Sequence, residues 1–317
     1  MGSSCTAAAP SSTANLGPGY DVFGLGLNAL EDVVKIDKMP GASRRIVIRV
    51  SGENYLSIPA DPSANSAGLV IKKMCEDFGV SSDVNVSILK RVPAGFGMGS
   101  SAASAAAAAI AFDELFDLRI EKEKIIEYAA EGEIASAGTK HYDNVSGAIL
   151  GGFVIVRTSP HLEFIRLDPP EDLVLVIAVP KIKMSTRKTE VARSVLPAHV
   201  PLRSVVHNVA GASTIVAGFA LKDIHMIAKG IDDVIVEPAR KFLIPGYDTV
   251  KRNALKSGAL AVTISGAGPS MISFLKTKKN GVRVAESMAA GFKEAKIESR
   301  TYVCKPSTGA KVLSMTK

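Results

Sequence analysis

Residues 93–103 read Pro-Ala-Gly-Phe-Gly-Met-Gly-Ser-Ser-Ala-Ala and run directly into an alanine-rich stretch that ends near Phe116. Three glycines at alternate positions let the backbone turn tightly and allow a ligand to approach it without side-chain obstruction. Ser100 and Ser101 fall where an alanine-rich helix would begin, so orphan N–H groups and the positive helix end would face the loop. Such a concavity suits the phosphates of a nucleotide, and a serine hydroxyl there can also ligate magnesium. The same residues also fit an ordinary glycine-rich turn with a serine N-cap. Two familiar loops are excluded. No Gly-Lys-Ser/Thr follows the glycines, as a Walker A loop requires, and the third glycine comes one position too early for the dinucleotide fingerprint.

The rest of the chain supplies the frame for that loop. Its 317 residues are enough for two packed domains. Alternation marks strands at 45–50 (RIVIRV) and 84–89 (VNVSIL), with a helix at 66–78 between them. A helix at 121–136 and a strand at 148–156 (AILGGFVIV) follow the loop. Thr158, Ser159, Pro160, Pro169 and Pro170 gather between 158 and 172, which places a boundary there and gives domains 1–165 and 166–317. Beyond it lie a buried strand at 173–179, helices at 204–221 and 223–231, strands at 259–264 and 271–275, a helix at 282–293 and a strand at 299–304. The class is α+β in two domains. Cys5, Cys75 and Cys304 are too few and too scattered for a disulfide framework or a zinc pattern, so a reducing cytoplasm is expected. No signal peptide is visible, and the apolar run 102–112 is too short to span a membrane.

Three motifs together resemble a known family. The loop at 93–103 resembles the central motif of the GHMP kinases, Pro-x-x-x-Gly-Leu-Gly-Ser-Ser-Ala, with Met98 in the usual leucine place. The stretch 264–270 (Ile-Ser-Gly-Ala-Gly-Pro-Ser) is similar to the third motif of that family, a loop that packs beside the phosphate loop. Residues 12–27 (STANLGPGYDVFGLGL) resemble the N-terminal motif of the homoserine kinases within it. The resemblance implies an N-terminal domain sharing its topology with a ribosomal-protein domain and a ferredoxin-like C-terminal domain. It also implies ATP bound by Pro93, Ala94, Gly95, Phe96, Gly97, Met98, Gly99, Ser100, Ser101, Ala102 and Ala103, with Gly266 and Gly268 beside them and Asn65 at the adenine. Magnesium would be held by Glu133 with Ser101, Ser100 being the alternative. Read from the residues alone, Glu127 and Glu131 rank with Glu133.

The implied reaction is phosphorylation of L-homoserine in threonine biosynthesis. Phosphoryl transfer passes through a loose transition state, so positioning and charge stabilisation can outweigh proton abstraction. The segment 139–145 (TKHYDNV) resembles the homoserine-kinase form of the catalytic site, with Asn144 on the substrate hydroxyl, Asp143 as a possible base and His141 as a polar contact. Homoserine is a zwitterion, so its site should offer cations to the carboxylate and an acid to the ammonium. Arg193 and Arg240 match the cations, and Asn15 and Asp21 lie in the N-terminal motif, with Asp21 for the ammonium. The spacing between Ser185 and Ala192-Arg193 is longer than usual for the family, so Arg187 competes with Arg193. A homodimer is expected from the same resemblance. The net charge of +7 also suits a nucleic-acid-binding use of the fold, but no basic stripe with interleaved aromatics accompanies it.

Overall fold

The chain begins with its two longest strands, β1 (Ser4–Asn15) and β2 (Gly19–Met39), which pair antiparallel. The computed structural model describes residues 3–53, 55–183 and 188–316. β1 shows no alternation, being small-residue sequence buried on nearly every position, and β2 is buried on both faces through its glycine-rich middle and alternates only around Asp32, Val34 and Ile36. The register shifts between Pro10 and Ser11, where proline cannot donate to the ladder. β3 (Ile46–Gly52), α1 (Ser66–Asp77) and β4 (Asp83–Lys90) follow the periodicities of the sequence. β3 pairs parallel with β4, the connection that the crossover through α1 requires.

α2 (Ser100–Phe116) is buried almost all round, which only a helix of alanines and small side chains permits between a sheet and other helices. It packs against α1, α3 (Lys122–Ala137) and α4 (Tyr142–Leu150). The strand expected at 148–156 is corrected here. Residues 148–150 complete α4, Gly151 caps it, and only β5 (Phe153–Arg157) is extended. A short apolar run does not distinguish a buried helix end from a strand. β6 (Glu163–Leu167) pairs with β5.

β7 (Val174–Pro180) opens the second sheet. After it come α5 (Lys188–Ser194), α6 (Leu202–Leu221), α7 (Ile224–Gly230), α8 (Val236–Arg240) and α9 (Tyr247–Lys256), then β8 (Ala261–Ile264), β9 (Met271–Leu275), α10 (Gly281–Glu294) and β10 (Ser299–Cys304). The strand order β10-β7-β9-β8 is fourth, first, third, second in chain order, all antiparallel, which is the ferredoxin-like arrangement. The last strand, β11 (Lys311–Thr316), returns to pair with β1, so the seven-stranded first sheet is completed from the far end of the chain. α6 is long and apolar enough to cross a membrane by length and composition, and it packs Ile215 and Phe219 inward.

The two sheets share a core. Leu25, Leu27 and Phe153 from the first half meet Leu175, Ile177, Phe219 and Phe274 from the second in one apolar cluster. Phe153 stacks on Phe219 at 4.0 Å with the rings nearly parallel. The opposite face of the second sheet is covered by α9 and α10. β7, β8 and β9 are therefore buried along their whole length, and the loops of the two halves meet beside the shared core.

Candidate active site

The phosphate loop is built by backbone geometry. Gly95, Gly97 and Gly99 have φ of 85°, 75° and 63°, in the left-handed region that favours glycine. Close approach excludes a side chain as well. A Cβ on Gly97 would lie 2.1 Å from the Ser265 carbonyl oxygen, and one on Gly99 would lie 2.0 Å from Ser12 Oγ. Gly99 rather than a serine is the N-cap of α2, no side chain caps that end, and its first turn carries no acid. The leading N–H groups and the positive helix end are therefore left for an anion.

Neighbouring loops hold the turn from outside. Ser12 N–H donates to the Met98 carbonyl at 3.1 Å, Ser270 N–H to that of Phe96 at 3.3 Å, and Ser265 Oγ to that of Gly97 at 2.7 Å. Gly266 N–H donates to the Ala14 carbonyl at 3.3 Å and Gly268 N–H to that of Ser265 at 2.8 Å, so the three motifs form one cluster.

A buried ion pair that motif reading passed over latches both ends of this loop. Lys90 and Asp32 are 3% and 0% exposed and bonded to each other. The Asp32 carboxylate accepts Arg91 N–H at 2.9 Å and Val92 N–H at 3.0 Å, where the loop begins. Lys90 Nζ donates to the Ser100 carbonyl and to Ser104 Oγ, both at 2.8 Å, where the helix begins. One signal was available: in β4 the inward positions are Val84, Val86, Ile88 and then Lys90. By the period of two, a charged residue continues an apolar face.

Of the three candidate acids on α3, Glu127 and Glu131 face outward, paired with Lys124 at 2.7 Å and Lys140 at 2.5 Å. Glu133 is turned inward and buried, and its Oε1 has no hydrogen-bond partner. Ser100 spends its hydroxyl on the Val92 carbonyl at 2.7 Å, whereas Ser101 is half-buried with its hydroxyl unused among the described residues. An orphaned carboxylate oxygen and a free hydroxyl fit a hard cation that takes few protein ligands.

α4 approaches the N-terminal motif because Gly24 has no side chain, since a Cβ there would lie 2.0 Å from the Asp143 carbonyl oxygen. Asn144 Oδ1 accepts Ser12 Oγ–H at 3.2 Å and would stand 3.2 Å from a Cβ on Gly99, at the mouth of the phosphate loop. Asp143 is buried and accepts Asn144 N–H at 2.7 Å and its amide at 3.2 Å. Burial, with the charge of Asp21 adding to it, pushes its pKa up to about 6. His141 Nδ1 lies 3.4 Å from Glu133 Oε2, and its Nε2 faces Arg193 Nη2 at 3.2 Å. The neutral tautomer with the proton on Nδ1 satisfies both contacts. Burial opposes charge on this ring, but Glu133 outweighs it and raises the pKa above the ordinary value.

Opposite α4 stand the groups expected to read a zwitterion. Asp21, at φ 56°, pairs with Arg193 at 3.1 Å. Asn15 donates to the Gly266 carbonyl at 2.9 Å and accepts Asp21 N–H at 3.1 Å, so it braces the loop that presents Asp21. Arg240 is 3% exposed and donates Nε–H to the Ala192 carbonyl at 2.9 Å, tying α8 to the helix that bears Arg193. Among the described residues no carboxylate forms an ion pair with it. Arg187 lies outside the described residues. Asn65 is placed elsewhere, capping α1, where its amide accepts Gly68 N–H at 3.2 Å and donates to the Pro59 carbonyl at 2.7 Å.

Comparison with known proteins bears on this arrangement. The family GHMP kinases N terminal domain matches residues 65–152, and GHMP kinases C terminal matches residues 215–294. The homoserine kinase of Natronomonas pharaonis is 38% identical over 307 residues, 97% of this chain and 99% of that protein. That of Methanococcus maripaludis is 39% identical over 268 residues, 84% of this chain and 86% of that protein. The crystal structure of homoserine kinase from Cytophaga hutchinsonii superposes with a TM-score of 0.91 at 32% identity, covering 98% of this chain and 97% of that one. L. major mevalonate kinase, with a TM-score of 0.70 at 15% identity over 97% of this chain and 96% of its own, shares the fold alone.

Proposed function

The chain belongs to the homoserine kinases of the GHMP kinase family, and on that premise we propose that it transfers the γ-phosphoryl group of ATP to the side-chain hydroxyl of L-homoserine, a step of threonine biosynthesis. The observation that carries the reading is Arg240, a guanidinium almost wholly buried that pairs with no carboxylate among the described residues. A buried charge needs compensation, and here the substrate carboxylate supplies it.

In this reading residues 1–165 hold most of the nucleotide and residues 166–317 add Arg193, Arg240 and the loop of Gly266 and Gly268. The triphosphate lies on the leading N–H groups of α2. Glu133 and Ser101 would hold magnesium, which when bound neutralises charge on the β- and γ-phosphates. Arg193 and Arg240 take the substrate carboxylate, while Asp21 gives up Arg193 and takes the ammonium. Asn144, set against Gly99 and held by Asp143 and Ser12, aims the substrate hydroxyl at the phosphoryl group. Bond breaking to the leaving phosphate runs ahead of bond making, so alignment lowers the barrier and no strong base is required. Asp143 serves as the support of Asn144. His141 ties the metal-site carboxylate to Arg193.

A coupled assay of ADP release from MgATP tests the substrate. Release is expected with L-homoserine and not with mevalonate, shikimate or galactose. Preference for one of those three would overturn the substrate while leaving the family intact.

A further inference from the structure

Arg240 and Arg193 are two cations that one substrate carboxylate would share, and in the free protein they must be held side by side against their repulsion. Arg193 has Asp21 as a counter-ion, but Arg240 has no carboxylate at ion-pair distance among the described residues, Asp21 acting on it only from further away. Its burial, the leading influence on it, lowers its pKa. What faces both guanidiniums is Tyr20. Its ring centroid lies 5.2 Å from Arg240 Cζ and 5.9 Å from Arg193 Cζ, within the range of cation–π attraction.

The placement of Tyr20 follows from the loop that carries it. Asn15 and Asp21 both have positive φ, and Asn15 Oδ1 accepts Asp21 N–H, so the segment between them is a closed turn. The turn is pinned to the second half of the chain through Asn15 and the Gly266 carbonyl. Half-buried Tyr20 therefore reaches two arginines whose helices, α5 and α8, are joined by the Arg240–Ala192 bond. The negative face of an aromatic ring partly stabilises buried positive charge without neutralising it. A carboxylate in that place would pair with the arginines permanently and exclude the substrate.

We propose that Tyr20 is a positioning residue for substrate recognition: its ring holds Arg240 and Arg193 as one clamp, standing in for the counter-ion until the substrate carboxylate arrives. This rests on the proposed homoserine reading. Tyr20→Leu removes the ring face, whereas Tyr20→Phe keeps it.

With L-homoserine, the KM of Tyr20→Leu is expected to rise about 10- to 30-fold, the scale of two partly buried cation–π contacts, and that of Tyr20→Phe, which keeps the ring face, less than about twofold. The KM for ATP should move less than about twofold in both, because the phosphate loop is untouched. With L-homoserine amide, which keeps the ammonium and hydroxyl but lacks the carboxylate, the KM ratio of variant to wild type should shrink to within about twofold. A merely structural role would raise the KM for homoserine, its amide and ATP together, and that result overturns the inference. An unchanged KM for homoserine in Tyr20→Leu also overturns it. If Tyr20→Leu does not fold, the same comparison is made with Tyr20→Met, where a rise for homoserine that vanishes with the amide supports the role and no rise overturns it. Wild-type protein that does not phosphorylate homoserine would overturn the substrate reading and this inference with it.

Discussion

The buried pair of Asp32 and Lys90 offers the sharpest test of how the fold serves the site. Asp32→Asn keeps the shape of the side chain but leaves Lys90, 3% exposed, without its counter-ion. Breaking a buried pair from one side costs about 3–5 kcal/mol, far above the roughly 1 kcal/mol typical of an exposed pair. The carboxylate also accepts Arg91 N–H, Val92 N–H and Ser104 Oγ–H, and the lysine holds the Ser100 carbonyl, so both ends of the phosphate loop loosen together. A loop that must be ordered on binding loses affinity, so KM for ATP should rise about tenfold while KM for homoserine moves far less. Lys90→Met alone should cost a similar amount. The double variant Asp32→Asn/Lys90→Met should be less destabilised than the sum of the singles, because no charge remains buried alone. Urea unfolding of the four proteins, with both KM values, reads all of this. A single variant losing less than about 1 kcal/mol with unchanged KM for ATP would refute the reasoning.

Three further predictions follow from the site. Glu133→Gln should raise the magnesium concentration for half-maximal activity by about tenfold or more, since a neutral amide replaces the buried acid of α3; normal metal dependence would remove Glu133 from the metal site. Asn144→Ala should lower kcat by about 100-fold and leave KM for ATP nearly unchanged, and an unaffected kcat would take Asn144 away from the reacting hydroxyl. Asp143, raised from 3.8 to about 6 by burial, binds its proton more tightly when folded, so its contribution favours folding below pH 3.8 and is lost as pH rises to about 6. The stability of wild type relative to Asp143→Asn should therefore fall by about 3 kcal/mol across that window and then level off, and a flat difference in chemical denaturation would contradict this.

Periodicity revealed the elements with one clear buried face and missed those without. β4 reads Val-x-Val-x-Ile and was plain, whereas β1 is an alanine–serine strand buried almost throughout, whose pattern carries no period. β11 is mostly exposed and joins the first sheet from the chain's end, a pairing between residues about 300 apart that local sequence does not encode. The site was legible where chemistry lies in consecutive residues, as in 93–103. It was not legible where chemistry depends on distant residues meeting. Tyr20 gains its meaning only beside Arg193 and Arg240, and Asp32 only beneath Lys90. The structure also separates what spacing could not, turning Glu133 inward and pairing Glu127 and Glu131 on the surface.

The central claim is that a phosphoryl group moves from ATP to the side-chain oxygen of L-homoserine. Phosphorus NMR of the purified protein with MgATP and L-homoserine tests it directly. The expected spectrum shows the γ-phosphate signal of ATP giving way to a phosphomonoester coupled to the protons of the side-chain methylene. Inorganic phosphate as the only new signal, or ATP left intact, would contradict it.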